Sequence, residues 1–194
     1  MTHIFISGGA KTSKSTLAVD LARRLRKPDT PLYYVATMAA NDSEDEARIR
    51  RHRAERTGLG FTTVEAATDI LRQTAGLDPA GTYLLDSLTA LLANEMFQRD
   101  GSIRPDSPRQ VAQDIGQLLE AVENIIFVSD YIYSDAAIYD ELTEAYRKGL
   151  AFIDRQLAER CDCVVETCAG NRIIHKGASI LDTLTAEEGP LICS

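Results

Sequence analysis

Positive charge is what this 194-residue chain is short of: 21 Lys and Arg stand against 29 Asp and Glu, a formal charge of −8. Sequence-independent binding of DNA or RNA relies on a basic surface, so nucleic acid is not an expected partner. A phosphorylated ligand stays open, because one loop can be positive on an acidic protein. No run approaches the roughly 20 apolar residues of a membrane span, and none is expected. The start of the chain lacks a basic segment followed by an apolar stretch, the mark of a secretory signal, so the expected location is the cytoplasm. Cysteine is scarce, at 161, 163, 168 and 193. Cys161-Asp162-Cys163 lacks zinc-ribbon spacing, and the four are read as core thiols of a reducing compartment. Repeats and low-complexity segments are missing too. A 44% hydrophobic and 26% charged composition over this length fits a single domain spanning 1–194.

What the chain does have is concentrated in residues 4–16, IFISGGAKTSKST. A β-branched run, Ile4-Phe5-Ile6, leads into Ser7-Gly8-Gly9, a polar loop, then Lys14-Ser15-Thr16 and a helical pattern. A phosphate-binding loop consists of Gly, four residues, Gly, Lys and Ser or Thr between a strand and a helix. Its N–H groups and the helix N-terminus cradle phosphate, its Lys adds charge, and its hydroxyl holds magnesium. Gly8 through Ser15 (Gly8, Gly9, Ala10, Lys11, Thr12, Ser13, Lys14, Ser15) supplies every element except the second glycine, which is Ser13. A side chain in left-handed backbone space costs roughly 1–2 kcal/mol, so Ser13 is expected to be mildly strained or the loop to be bent differently.

Further along, strands and helices alternate. Strands are expected at 3–7, 32–37, 61–64, 82–86, 125–129, 162–167 and 171–175. Helices are expected at 14–26, from 43 through the arginine-rich segment, at 66–75, from 87 to about 97, at 107–122 and over 135–160. The tail 177–194 shows no clear pattern, although Leu181 and Leu184 suit packing. This order implies a three-layer, doubly wound, mostly parallel α/β sheet with an antiparallel strand at one edge. Ligands in such sheets bind at the carboxyl ends of the strands, where Gly8, Thr37 and Asp86 all fall.

Two further stretches carry chemistry. TYLLD ends in Asp86, as does a strand whose carboxylate positions magnesium beside a phosphate loop. In the segment 42–56, Asp42, Glu44, Asp45 and Glu46 precede Arg48, Arg50, Arg51, Arg53 and Arg56, an order matched to the helix dipole. Ser43 and Glu46 have the spacing of a capping box. Five arginines in nine residues surround His52, with Arg48 and Arg56 each one helical turn away. Positive neighbours disfavour imidazolium and would hold phosphates, which suits a nucleophilic histidine in nucleotidyl transfer. His3 is read as structural, and His175 has no argued role.

These stretches together resemble the bifunctional adenosylcobinamide kinase/adenosylcobinamide-phosphate guanylyltransferase family of cobalamin biosynthesis. ISGGAKTSKST is similar to its GGARSGKS loop, and LYYVATMAANDSEDEARIRRHR to its YIAT strand and R-I-x-x-H helix. YLLDSLTALLANEMF is similar to its LLD-C-L-T stretch, and AFIDRQLAERCDCVVETCAGNRIIHKG to its closing helix and strands. The resemblance implies a RecA-like phosphate-loop fold, ATP and GTP as substrates with Mg2+, a corrinoid acceptor, and a trimeric homo-oligomer. It also implies a transferase that phosphorylates adenosylcobinamide and then transfers GMP to that phosphate through a histidine–GMP intermediate at His52. Lys14 would stabilise phosphate charge, Ser15 and Asp86 would position magnesium, and Arg48, Arg51 and Arg56 would hold nucleotide. The chain departs from the family pattern at Ser13 and at Val128-Ser129-Asp130-Tyr131-Ile132-Tyr133-Ser134, where relatives carry V-S-N-E-V-G-x-G. Two other readings therefore stay open: a generic phosphate-loop small-molecule kinase, and a degenerate nucleotide-binding protein lacking one or both activities.

Overall fold

In the computed structural model residues 1–40 and 43–188 are described, together with their side chains except those of residues 43–45, 48, 55, 187 and 188. In chain order the elements are β1 (Thr2–Gly8), α1 (Lys14–Leu25), β2 (Leu32–Ala36), α2 (Ser43–Arg56), β3 (Phe61–Glu65), α3 (Ile70–Thr74) and β4 (Thr82–Asp86). They continue with α4 (Leu88–Met96), α5 (Ser107–Ala121), β5 (Asn124–Asp130), α6 (Glu141–Arg160), β6 (Cys163–Cys168), β7 (Asn171–Lys176) and α7 (Ala178–Glu188). One seven-stranded sheet has the order β3-β2-β4-β5-β1-β6-β7. Every pairing is parallel except that of β6 with β7.

The central strands are apolar on both faces, and their period of two sorts the core into two layers. Phe5, Tyr33, Val35, Tyr83, Leu85, Ile125 and Phe127 pack with the residues of α3, α4, α5 and α6. Their alternates Ile4, Ile6, Leu32, Tyr34, Leu84, Ile126 and Val128 pack with α1 and α7. The expected three-layer α/β architecture is therefore present. Because the sheet is parallel, the ends of β1, β4 and β5 open on one edge. Gly8 stands beside Asp130 there, and Asp86 beside Val128.

Several boundaries differ from expectation. The patternless tail contains α7, whose Leu181 and Leu184 are buried and whose Leu184 carbonyl accepts a hydrogen bond from Arg24 at 3.0 Å. Its few apolar positions are enough because α1 supplies the partner surface. The long helix begins at Glu141 rather than near 135: Asp140 caps it by accepting from the N–H groups of Leu142 and Thr143, both at 3.0 Å. The preceding loop is held by buried Arg147, which donates to the Ile132 carbonyl at 2.9 Å, pairs with Asp135 at 2.8 Å and reaches Glu144. The helix expected over 66–75 is confined to Ile70–Thr74. The Ser43 side chain, and with it the expected capping box, lies outside the described residues; Glu46 pairs with Arg50 at 3.3 Å.

Cys161 and Cys163 are buried thiols, pushed up by burial to about 12 and about 11. Cys168 differs from the expectation of a core thiol: it is exposed at the end of β6. Cys193 lies outside the described residues.

Candidate active site

The loop from Gly8 to Ser13 turns tightly because of what it passes. A Cβ at Gly8 would meet the Thr167 hydroxyl at 2.3 Å and its carbonyl at 2.4 Å, so only glycine allows β1 and β6 to approach this closely. Thr12 braces the loop: its hydroxyl donates to the Gly9 carbonyl at 2.8 Å and lies 2.7 Å from that of Thr167. Ser13 has φ 65 and ψ 20, the left-handed geometry that its place in the motif demands, and Lys11 has φ 58. Ser13 precedes α1 without a side-chain cap, and the first turn carries no acid. The first amides of α1 and the positive end of its dipole therefore face the loop, the arrangement that attracts phosphate.

Lys14 is buried and turned back over the loop. Its ammonium donates to the Gly9 carbonyl at 2.5 Å and pairs with Asp130 at 2.9 Å. Asp130 is held by Thr89, whose hydroxyl accepts from its N–H at 2.9 Å, while the next residue's N–H donates to the Gly8 carbonyl at 2.8 Å. Asp86, at the end of β4, accepts from the Tyr34 hydroxyl at 2.7 Å. Thr37 clasps the turn after it, donating to the Ser87 carbonyl and accepting from the Ser87 N–H, both at 2.7 Å. Asn94 donates to the Thr37 carbonyl at 2.8 Å.

The loop, Asp86, Asp130 and one side of α2 surround a cleft of about 1060 Å³. Arg51, His52 and Arg56 all line it, so the loop and the arginine helix converge as the sequence implies. His52 is half-buried, Arg51 exposed, and Arg56 only 8% exposed, its guanidinium carbon 3.4 Å above the Tyr34 ring. Arg53 is tied to Glu65 at 2.6 Å. The Arg48 side chain lies outside the described residues. Among the described residues six cations (Lys11, Lys14, Arg23, Arg51, Arg53, Arg56) line the cleft against four carboxylates (Asp20, Glu65, Asp86, Asp130). A protein of net charge −8 thus gathers local positive charge where a polyphosphate would lie.

Among the described residues no group of three or more His, Cys, Asp or Glu could hold a metal ion. An ion in this cleft would rest on one or two protein oxygens plus substrate phosphates, which is how magnesium usually binds. Ser15 and Asp86 are oxygen donors of that kind and both line the cleft.

Residues 4–174 match the model of the family described as cobinamide kinase / cobinamide phosphate guanyltransferase. The chain belongs to this family. The bifunctional adenosylcobalamin biosynthesis protein CobP of Pseudomonas aeruginosa is 33% identical over 174 residues, covering 89% of this chain and 96% of that relative. Among solved structures, an ATPase domain overlays with TM-score 0.50 at 14% identity, covering 98% of this chain and 79% of that one. A KaiC-like protein of Pyrococcus horikoshii gives TM-score 0.47 at 13% identity, covering 90% and 79%. The first of these likenesses shows the fold, a RecA-like phosphate-loop sheet. The cobinamide kinase family match ends before α7, so the helix that packs on α1 lies outside the matched residues.

Three contributors to the site escape a reading of the sequence. Asp130 stands out there only as a departure from the family pattern, although IIFVSD ends in a carboxylate just as TYLLD does. Tyr34 is one aromatic in a buried strand, and only the register of β2 with β4 sets it toward Asp86. Thr167 belongs to a strand near the far end of the chain from Gly8, and nothing local marks it.

Proposed function

We propose that this chain is a bifunctional transferase of adenosylcobalamin biosynthesis. It phosphorylates the hydroxyl of adenosylcobinamide with ATP or GTP, then transfers GMP from GTP to that phosphate through guanylylated His52. The observation that carries this reading is the meeting, in one cationic cleft, of the phosphate loop, Asp86 and the arginine-flanked His52.

In guanylyl transfer an imidazole nitrogen of His52 attacks the α-phosphorus of GTP. A nitrogen–phosphorus bond forms as the bond to the β-phosphate bridging oxygen breaks, and pyrophosphate leaves. A phosphate oxygen of the acceptor then attacks the same phosphorus and returns the histidine. Lys14 and the loop amides hold the phosphates, and Arg51 and Arg56 (with Arg48) balance their charge. Ser15 and Asp86 would hold Mg2+, which supplies charge neutralisation for the departing phosphates. In the kinase half the same loop positions the γ-phosphate for in-line transfer, and no covalent histidine is involved. The reading includes a single nucleotide-binding domain acting in the cytoplasm as a homo-oligomer, a trimer by resemblance; light scattering checks the last point.

The test is incubation with GTP labelled at the α-phosphate and magnesium, followed by intact-mass analysis. The protein should gain the mass of one GMP, in a linkage labile to acid and stable to base. His52→Ala should lose the adduct and keep GTP binding. An adduct that persists in His52→Ala moves the nucleophile elsewhere. Tight GTP binding with no adduct in the native chain assigns the protein to nucleotide binding without guanylyl transfer, the reading that Ser13 and the Asp130–Lys14 pair favour.

A further inference from the structure

Tyr34 makes two contacts that join opposite walls of the cleft. In the sheet register it stands beside Leu84, with Ala36 beside Asp86, so its ring runs along the sheet toward the strand ends. The residue is 4% exposed and belongs to the core layer under α1. Its hydroxyl donates to Asp86 Oδ2 at 2.7 Å. Its ring face carries the Arg56 guanidinium at 3.4 Å, and Phe61 meets the ring edge-on at 6.0 Å. Arg56 is the last residue of α2, one helical turn beyond His52, and its buried Nε has no hydrogen-bond partner among the described residues. A desolvated guanidinium without that hydrogen bond depends on the aromatic face for compensation.

We infer that Tyr34 is a positioning residue that ties the carboxylate of β4 to the histidine-bearing helix. This rests on the function proposed above. A carboxylate at a strand end can turn about two side-chain bonds. A rigid phenol donating to Oδ2 fixes that rotation and leaves Oδ1 for a cation. Partners of this outer kind are typically worth about 10- to 100-fold in metal affinity. At the other contact, the ring holds Arg56, and through it the end of α2 that carries His52. Hydroxyl and ring therefore have separable tasks: the first acts on the metal side, the second on the helix. A tyrosine that merely fills the core would show neither specific effect.

The experiment titrates Mn2+, followed by electron paramagnetic resonance, into protein saturated with a GTP analogue carrying carbon between the α- and β-phosphorus. This analogue cannot release pyrophosphate, so the readout is independent of adduct formation. Tyr34→Phe should raise the Mn2+ half-saturation about 10-fold or more. Its melting temperature and its metal-free affinity for the analogue should stay those of the native chain. Tyr34→Leu, which removes the ring as well, should also weaken metal-free analogue binding. Combining Tyr34→Phe with Asp86→Asn should be no worse for Mn2+ than Asp86→Asn alone, because the hydroxyl acts through that carboxylate. Equal half-saturation in native protein and Tyr34→Phe overturns the inference, as does native protein that takes up no Mn2+ with the analogue. Normal Mn2+ behaviour without a GMP adduct from GTP would instead sink the guanylyltransferase reading and leave the Tyr34 result standing.

Discussion

Lys14 of the phosphate loop and Asp130 at the end of β5 form an ion pair, Nζ to Oδ1 at 2.9 Å. The ammonium is shared with the Gly9 carbonyl, so incoming phosphate must take the cation over from a carboxylate. Asp130 is anchored through Thr89 and, at its neighbour, through Gly8, and it has no easy backbone retreat.

Removing that competitor should help the nucleotide. Asp130→Asn is expected to tighten GTP binding about 5-fold, the equivalent of about 1 kcal/mol for a partly exposed pair. Lys14→Ala should weaken binding at least tenfold and abolish turnover, since it leaves the Asp130 charge facing the phosphates. Titration calorimetry on both variants checks the pair. Native affinity in Asp130→Asn would mean that phosphate does not displace the carboxylate.

Ser13 occupies left-handed space at φ 65. Replacing it with glycine removes a penalty of roughly 1–2 kcal/mol and adds back some chain entropy in the unfolded state. The net expectation for Ser13→Gly is a gain of about 1 kcal/mol, which raises the melting temperature by about 2–4 °C for a chain of this size. GTP affinity should rise or hold. A collapse of activity in the glycine variant would show that the serine hydroxyl has a task of its own.

The parts of this protein readable from sequence are those where spacing alone dictates geometry. Gly8 to Ser15 must be a strand-to-helix turn, and of the outcomes the missing glycine left open at position 13, a strained residue or a loop bent differently, the structure has the left-handed residue. Apolar runs ending at Gly8 and Asp86 placed the cleft at the carboxyl edge of a parallel sheet. What stayed hidden depends on partners distant in sequence. Leu181 and Leu184 look too sparse for a helix until α1 offers a surface. Asp135 to Asp140 has no helix-breaking proline or glycine, yet Arg147 pairs with Asp135, lies over the Tyr139 ring and donates to the Ile132 carbonyl just before them, which holds this stretch out of the helix. The ties from Asp130 to Lys14, and from Tyr34 to Asp86, are set by strand order, which no local pattern prints.

Asp154 of α6 provides a test of stability rather than catalysis. It is 2% exposed, accepts from Ser129 at 2.9 Å and Tyr133 at 3.0 Å through Oδ2, and has no partner for Oδ1 among the described residues. Burial pushes its carboxyl up to about 7; the Ser129 and Tyr133 hydroxyls pull it down, and the charge of Asp130 adds to the rise. The folded protein therefore keeps a proton that the unfolded chain, titrating near 3.8, has lost. This group's contribution to stability is full below about pH 4, falls as pH rises toward 7, and is flat above it. An asparagine at this position still accepts both hydrogen bonds but does not titrate. The stability of Asp154→Asn minus that of the native chain should thus grow by about 2 kcal/mol between pH 5 and pH 7, at roughly 1.4 kcal/mol per pH unit at first and less as pH nears 7. In thermal melts this is a difference widening by roughly 4–8 °C and then levelling off above pH 7. A difference that stays constant with pH would mean that Asp154 is ionised in the folded protein throughout this range.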